Sequence, residues 1–369
     1  MKGYVCMVFI FLNLFIVSFY SVAQTYYWVS FTDKNGSIYS IDKPEEFLSD
    51  RAIQRRVKYN IAIDEKDLPV NQEYISHVLE LGAEYVHASK WLNGITVKTD
   101  SVDFAERVLA LDFVREVEAT KTNTGNKSAS YGKFGRTDDK PVIDSSYYGK
   151  SVSQVSQING QYLHDKGFRG KGIQIAVLDA GFYNVDKLPS FDSLWQDNRI
   201  LGAVDFVDRD SNVFTQHSHG MMVLSIMGGN LPGLLIGTAP EASYWLLRTE
   251  DASVEFKNEE DNWVVGAEFA DSVGADIINS SLGYFLFDDP AMDHSYSEMD
   301  GNTTRVTRAA NIAASRGILV FCSAGNEGDS PWHYIIAPSD GDSVVSVGAV
   351  DANGVKAAFS SFGPAFGGA

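Results

Sequence analysis

The stretch that most restricts this chain is Ile173–Gly181, IQIAVLDAG. Gly170 and Gly172 precede it, and Ile175, Ala176, Val177 and Leu178 form an unbroken apolar run. The run ends on Asp179, followed by Ala180 and Gly181. A short apolar run between turn residues reads as a strand buried on both faces, as in a parallel sheet. Its closing acid then stands at the carboxyl edge of the strand, where open α/β sheets place their sites. From this stretch alone two roles are open for Asp179, a site carboxylate or a cap of the next turn.

The rest of the second half repeats the alternation that such a sheet needs. Helices are expected over His219–Met227, around Trp263–Val273 and near Thr303–Ser315. Strands are expected at Tyr244–Leu247, Asp276–Ser280, Leu319–Ser323 and Val344–Val347. Strand and helix in turn call for a parallel sheet covered by helices. The first half reads differently, as a small α+β unit. It has strands at Tyr26–Phe31, Glu84–Ala88, Ile95–Lys98 and Val114–Ala119, and helices at Asn71–Leu81 and around Phe104–Leu109. Arg51, Arg55 and Arg56 are expected to form a solvated helix face. Residues 121–150 turn to Thr, Asn, Gly, Ser, Lys and Asp and read as a linker open to proteolysis.

The first 23 residues carry a different signal. Lys2 precedes an apolar run from Tyr4 to Val22, and Ser21 and Ala23 occupy the small positions of a cleavage site before Gln24. This is the pattern of a secretory signal peptide. It implies a secreted, extracellular protein with no membrane segment once the signal is removed. Cys6 falls inside that signal, so the mature chain keeps a single thiol, Cys322, and no disulfide. A net charge of -18 argues against nucleic acid as a partner, since such binding needs clustered Lys and Arg.

Three further stretches carry possible chemistry. In HSHGMMVLS, His219 stands at the start of an apolar helix. The positive end of the helix dipole disfavours the imidazolium there and leaves a neutral ring able to take a proton. His217 competes for the role, and a buried structural histidine is the other reading. In FCSAGNEGD, Asn326 offers an amide beside the edge where Asp179 emerges, suited to an oxyanion or simply to a turn. In IINSSLG, the small residues Ser280, Ser281 and Gly283 would let an extended peptide pair alongside, or end the strand in a tight turn.

In order, Asp179, His219, SLG, AGN and the FSSFGP of Phe359–Pro364 resemble the subtilisin-like serine proteases, whose triad runs Asp, His, Ser. The resemblance covers about Ser151 to the end. It implies an α/β fold with a subtilisin-like parallel sheet covered by helices, C-terminally incomplete, preceded by a small α+β propeptide domain. The implied division is 1–23 signal peptide, 24–121 propeptide-like domain, 122–150 linker and 151–369 peptidase domain. Asp179 would orient His219, His219 would deprotonate the nucleophile, and Asn326 would supply an oxyanion donor. Ser281, Leu282 and Gly283 with Ser323, Ala324 and Gly325 would line the primary substrate pocket. Protein or peptide substrates and an inhibitory intramolecular propeptide are the implied partners. No cofactor and no catalytic metal are implied, and structural calcium is compatible.

The chain departs from the family pattern in three places. Ala180-Gly181 replaces the usual Ser-Gly after the acid, and HGMMVLS replaces HGTHVAG, with Met221 and Met222 beside the histidine. The nucleophile's GTSMAxP-type segment, normally a few tens of residues beyond FSSxGP, does not occur before Ala369. The expectation is therefore a protease precursor cut before its serine and inactive as it stands. A non-catalytic peptide-binding protein on the same fold is the alternative. A nucleotide-binding α/β domain fits less well, because its glycine loop should follow the strand and here the glycines precede it.

Overall fold

The computed structural model describes residues 24–122 and 146–368. The expected signal peptide and most of the expected linker lie outside the described residues. The N-terminal unit comprises β1 (Thr25–Phe31), α1 (Asp50–Tyr59), α2 (Gln72–Glu80), β2 (Glu84–Ser89), β3 (Gly94–Thr99), α3 (Phe104–Leu109) and β4 (Val114–Lys121). Its four strands form an antiparallel sheet in the order β2-β3-β1-β4. Strand residues alternate between the two faces of a sheet. Val29, Phe31, Ile95 and Val97 accordingly pack with Ile75, Val78, Phe104 and Val108 of the unit's own helices. Trp28 and Thr96, on the opposite face, meet the second unit.

That second unit begins with α4 (Val152–Gln157), α5 (Gly160–Asp165), β5 (Gln174–Asp179), α6 (Asp192–Gln196) and β6 (Ile200–Asp205). It continues through α7 (His219–Gly228), a short hairpin of β7 (Asn230–Leu231) and β8 (Leu235–Ile236), and β9 (Ser243–Arg248). Then follow α8 (Asn258–Val273), β10 (Ile277–Ser280), α9 (Arg305–Ser315), β11 (Leu319–Ser323) and β12 (Val345–Val347). Six strands form one sheet in the order β12-β11-β10-β5-β9-β6, with every pairing parallel. Alternation along β5 divides the core between the two faces of this sheet. Ala176 and Leu178 face the cluster of Trp263, Ala267, Val306 and Ala310 from α8 and α9. Ile175 and Val177 face the cluster of Phe182, Val213 and Leu224 on the α7 side.

The two units meet along α8 and α9, and the contact corrects one expectation. Arg55 and Arg56 are not solvated: their side chains are 3% and 2% exposed. Arg55 pairs with Asp271 of α8 at 2.5 Å, and Arg56 reaches both Asp67 and Asp271 at 2.9 Å. Burial of a guanidinium is tolerable only against such partners. Only Arg51 keeps part of its side chain in water, beside Asp276. The helix expected from Trp263 starts at Asn258, and its acidic first turn, Glu259, Glu260 and Asp261, is buried as well. Glu118 of β4 draws Lys257 and Arg305 together, and Arg305 Nε donates to Asp261 at 2.8 Å.

The same boundary holds a backbone-to-carboxylate clasp. Lys90 and Trp91 donate their N–H groups to Glu268 at 2.9 and 3.0 Å, and Ser89 adds its hydroxyl at 2.5 Å. Burial nevertheless pushes the Glu268 carboxyl up from its ordinary range. Trp91 then enters the apolar cluster built on α8 and α9, although it belongs to the N-terminal unit.

Candidate active site

Asp179 is the last residue of β5, and its side chain is fully buried. One carboxylate oxygen accepts the Ala180 N–H at 2.7 Å. His219 opens α7 on the neighbouring chain segment and brings Nδ1 to 2.8 and 3.0 Å from the two Asp179 oxygens. Glycine makes this approach possible. A Cβ on Gly220 would stand 2.6 Å from the Gly181 carbonyl and 2.8 Å from Asp179 Cβ. Gly181, at φ +146, likewise passes against the backbone of His217. With Nδ1–H donating to the carboxylate, the neutral ring keeps its lone pair on Nε2. His217 is engaged locally, its Nδ1 accepting the His219 N–H at 3.2 Å.

The other expected site residues stand on the same carboxyl edge of the sheet. Ser280 is level with Leu178 on one side and Cys322 on the other, so Ser281 and Ser323 leave the sheet at the height of Asp179. Trp263 Nε1 donates to Ser280 Oγ at 2.9 Å and fixes the end of β10. Ser323 Oγ accepts the Gly325 N–H at 3.2 Å, which shapes the turn that presents Asn326. The FSSFGP segment clamps that turn: Ser361 N–H donates to the Gly325 carbonyl and Ser361 Oγ accepts the Glu327 N–H, both at 3.0 Å. Ser360 Oγ accepts the Ala349 N–H at 3.0 Å. Both FSSFGP hydroxyls thus serve the turns around them. Cys322 is buried, and burial pushes its thiol well up, which leaves it inert.

The structure also gathers residues that sequence reasoning did not connect. Ile336 lies against both Gly283 and Gly325. Glu250, Glu255 and Glu259 bring carboxylate oxygens within 4.8 Å of one another, a group compatible with a cation. Several of these oxygens already accept protein donors. Glu259 takes the Asp251 and Phe256 N–H groups at 2.8 and 3.2 Å, and Glu250 takes the Tyr284 hydroxyl. Tyr284 is buried beside these acids, and its phenol is pushed well above its ordinary range. A calcium ion prefers six to eight oxygens, so this trio could supply only part of a shell. Ile336 had no local signal, because Gly283 lies far from it in the chain, and the three acids, though close in sequence, look no different from an ordinary solvated charge run.

Residues 170–369 match the model of the subtilase family, and residues 26–133 match the peptidase S8 propeptide domain of Bacteroidota. The chain belongs to the subtilase family. It is 31% identical over 222 residues to subtilisin NAT of Bacillus subtilis subsp. natto, covering 58% of this chain and 51% of that one. A subtilisin of Bacillus pumilus is 30% identical over 214 residues, 57% of this chain and 68% of that one. This subtilase chain therefore spans about half the length of the first relative. The epidermin leader peptide processing serine protease of Staphylococcus aureus superposes with a TM-score of 0.56 at 16% identity, over 92% of this chain and 73% of its own. At that identity the likeness speaks to the fold. The subtilase fold here is the expected α/β architecture, a parallel sheet covered by helices behind an α+β propeptide domain. No helix among the described residues is long and apolar enough to cross a membrane.

Proposed function

We propose that this subtilase is the precursor of a secreted serine endopeptidase, with 1–23 as signal, 24–121 as propeptide, 122–150 as linker and 151–369 as peptidase sequence. The observation that carries the reading is the Asp179–His219 pair, a buried carboxylate 2.8 Å from Nδ1 of a ring at a helix start. In the proposed mechanism Asp179 holds the tautomer and stabilises the imidazolium as it forms. His219 Nε2 takes the proton of a serine hydroxyl while that oxygen attacks the peptide carbonyl, and later returns it to the leaving amine. The Asn326 amide donates to the oxyanion, and Ser281–Gly283 with Ser323–Gly325 border the side chain preceding the scissile bond.

The nucleophile of this reading is a serine outside these 369 residues. Support comes from the engagement of Ser323, Ser360 and Ser361 in turn contacts. The N-terminal unit is proposed as the inhibitor, supported by its match to a propeptide family and its hold on α8 and α9. An acyl-serine activity probe applied to the full-length gene product tests the reading. Labelling is expected and should vanish with His219→Ala; labelling at the wild-type rate in that variant would overturn the base assignment. The 369-residue chain alone is expected to leave casein uncut. Turnover that depends on His219 would place the nucleophile inside it.

A further inference from the structure

Two of the site's glycines face one side chain. A Cβ built on Gly283 would stand 2.3 Å from Ile336 Cδ1 and 2.6 Å from its Cγ1. On Gly325 it would stand 3.0 Å from the same two atoms. The Cγ1–Cδ1 arm of Ile336 therefore sits between the segments that leave β10 and β11, where their backbones carry no side chain to oppose it. It is 7% exposed, so protein rather than water surrounds it.

Its own carbonyl and the backbone of both its neighbours are hydrogen-bonded. Tyr284, the residue after Gly283, donates its N–H to the Ala337 carbonyl at 2.8 Å. Ile335 N–H donates to the Phe362 carbonyl at 3.0 Å, and Ser339 N–H to the Ile336 carbonyl at 2.9 Å. Tyr284 is itself fully buried. Withdrawing Ile336 would break these bonds or force its side chain into packed neighbours, a cost of the kind that overpacking a core incurs. A glycine-walled slot would ordinarily admit a long substrate side chain. Here the glycines make room for the protein's own isoleucine.

We propose that Ile336 occupies the depth of the primary pocket and limits this protease to substrates with glycine, alanine or serine on the acyl side of the scissile bond. The inference rests on the endopeptidase reading above and adds the substrate class to it. A leucine or phenylalanine there would meet Ile336 before its last carbons were buried. Even a single methylene too many or too few changes kcat/KM roughly 10–200-fold in an apolar pocket.

The test is the kcat/KM profile of the full-length gene product on peptides identical except for Ala, Ser, Leu or Phe at that position. Alanine is expected to exceed phenylalanine by roughly 100-fold or more. Ile336→Gly and Ile336→Ala should narrow that ratio at least about 10-fold by opening the slot. Wild-type enzyme that cuts after Phe as fast as after Ala overturns the inference without recourse to any variant. So does an unchanged ratio in an Ile336→Gly variant that still cleaves the series. In either case an intact His219-dependent acyl label leaves the protease reading standing. No cleavage of any peptide together with no label overturns the protease reading, and the pocket assignment with it.

Discussion

Asp179 and Asp271 are both fully buried carboxylates in the same unit, and their surroundings differ. Asp271 meets three cations, Arg55, Arg56 and Lys90, at 2.5 to 3.3 Å. Asp179 meets one backbone N–H and one imidazole. Around Asp271 the positive charge is permanent, so the arrangement fixes the N-terminal unit in place and has nothing to gain from moving a proton. Around Asp179 the partner is an imidazole, which the proposed mechanism uses to accept and return a proton. A buried carboxylate with an incomplete charge balance stabilises that developing charge. One acid therefore works as a clamp, and the other is suited to catalysis.

Under the proposed function, the contrast breaks first at the Asp179–His219 pair. His219→Ala should lower kcat of the full-length enzyme on the order of 10⁶-fold, and Asp179→Asn about 10⁴-fold. These magnitudes are those known for serine proteases, subtilisin among them. Single-turnover kinetics on a peptide substrate would measure both. A loss below about 100-fold for Asp179→Asn would mean that the carboxylate only braces α7. At the clamp, Asp271→Ala strips three buried cations of their shared partner and should destabilise the unprocessed precursor by about 3–5 kcal/mol. Chemical unfolding of precursor and variant reads this directly. A change under about 1 kcal/mol would mean that water reaches the cations and the clamp is weak.

Asn326 gives the next smaller effect. Replacing its amide with Asn326→Leu should reduce kcat roughly 10²–10³-fold with little change in KM, because an oxyanion forms only as the reaction proceeds. An equal rise in KM with kcat unchanged would assign Asn326 to ground-state peptide binding and leave the oxyanion to backbone donors.

These regions also differ in how far the sequence revealed them. The Asp179–His219 pair was legible because each member is set by local structure, an acid ending an apolar strand and a histidine starting an apolar helix. The strands buried on both faces were legible for the same reason. β6 was not: Gly202 interrupts it, its pairing with β9 shifts register there, and a Cβ at Gly202 would strike the Trp245 ring at 2.6 Å. The clamp escaped notice because Arg55 and Arg56 look like any charged helix face until Asp271, more than two hundred residues away, covers them. Burial of a charge depends on its partner, and no spacing rule connects partners so distant in the chain. Ile336 was hidden likewise, since an apolar residue in a loop between two recognised segments signals only a core position.

The smallest expected effect is a cancellation at the boundary between the two units. Burial raises the Asp261 carboxyl to about 6 despite Arg305 beside it, with Glu260 and Glu118 pushing in the same direction as burial. Between its ordinary value near 3.8 and about 6 the folded chain holds the extra proton, so this group's stabilising contribution is present at pH 4 and is lost as pH rises through 6. Burial lowers His87 from 6.5 to about 4, with Arg209 nearby adding to the effect while the Phe206 carbonyl opposes it. Here the unfolded chain binds the extra proton, so stability is full above about 6.5 and is lost as pH falls toward 4. Each arm is worth at most about 3 kcal/mol, and in the wild-type precursor they oppose each other across one window. Asp261→Asn leaves the histidine arm, and melting temperature should fall on acidification from pH 6.5 to 4. His87→Gln, whose amide can still donate to the Phe206 carbonyl, leaves the carboxyl arm, and melting temperature should rise over the same interval. Slopes of the same sign in the two variants would show that neither group governs the response. The sensitivity would then belong to carboxylates common to both variants, with the Glu268 clasp the first to examine by Glu268→Gln.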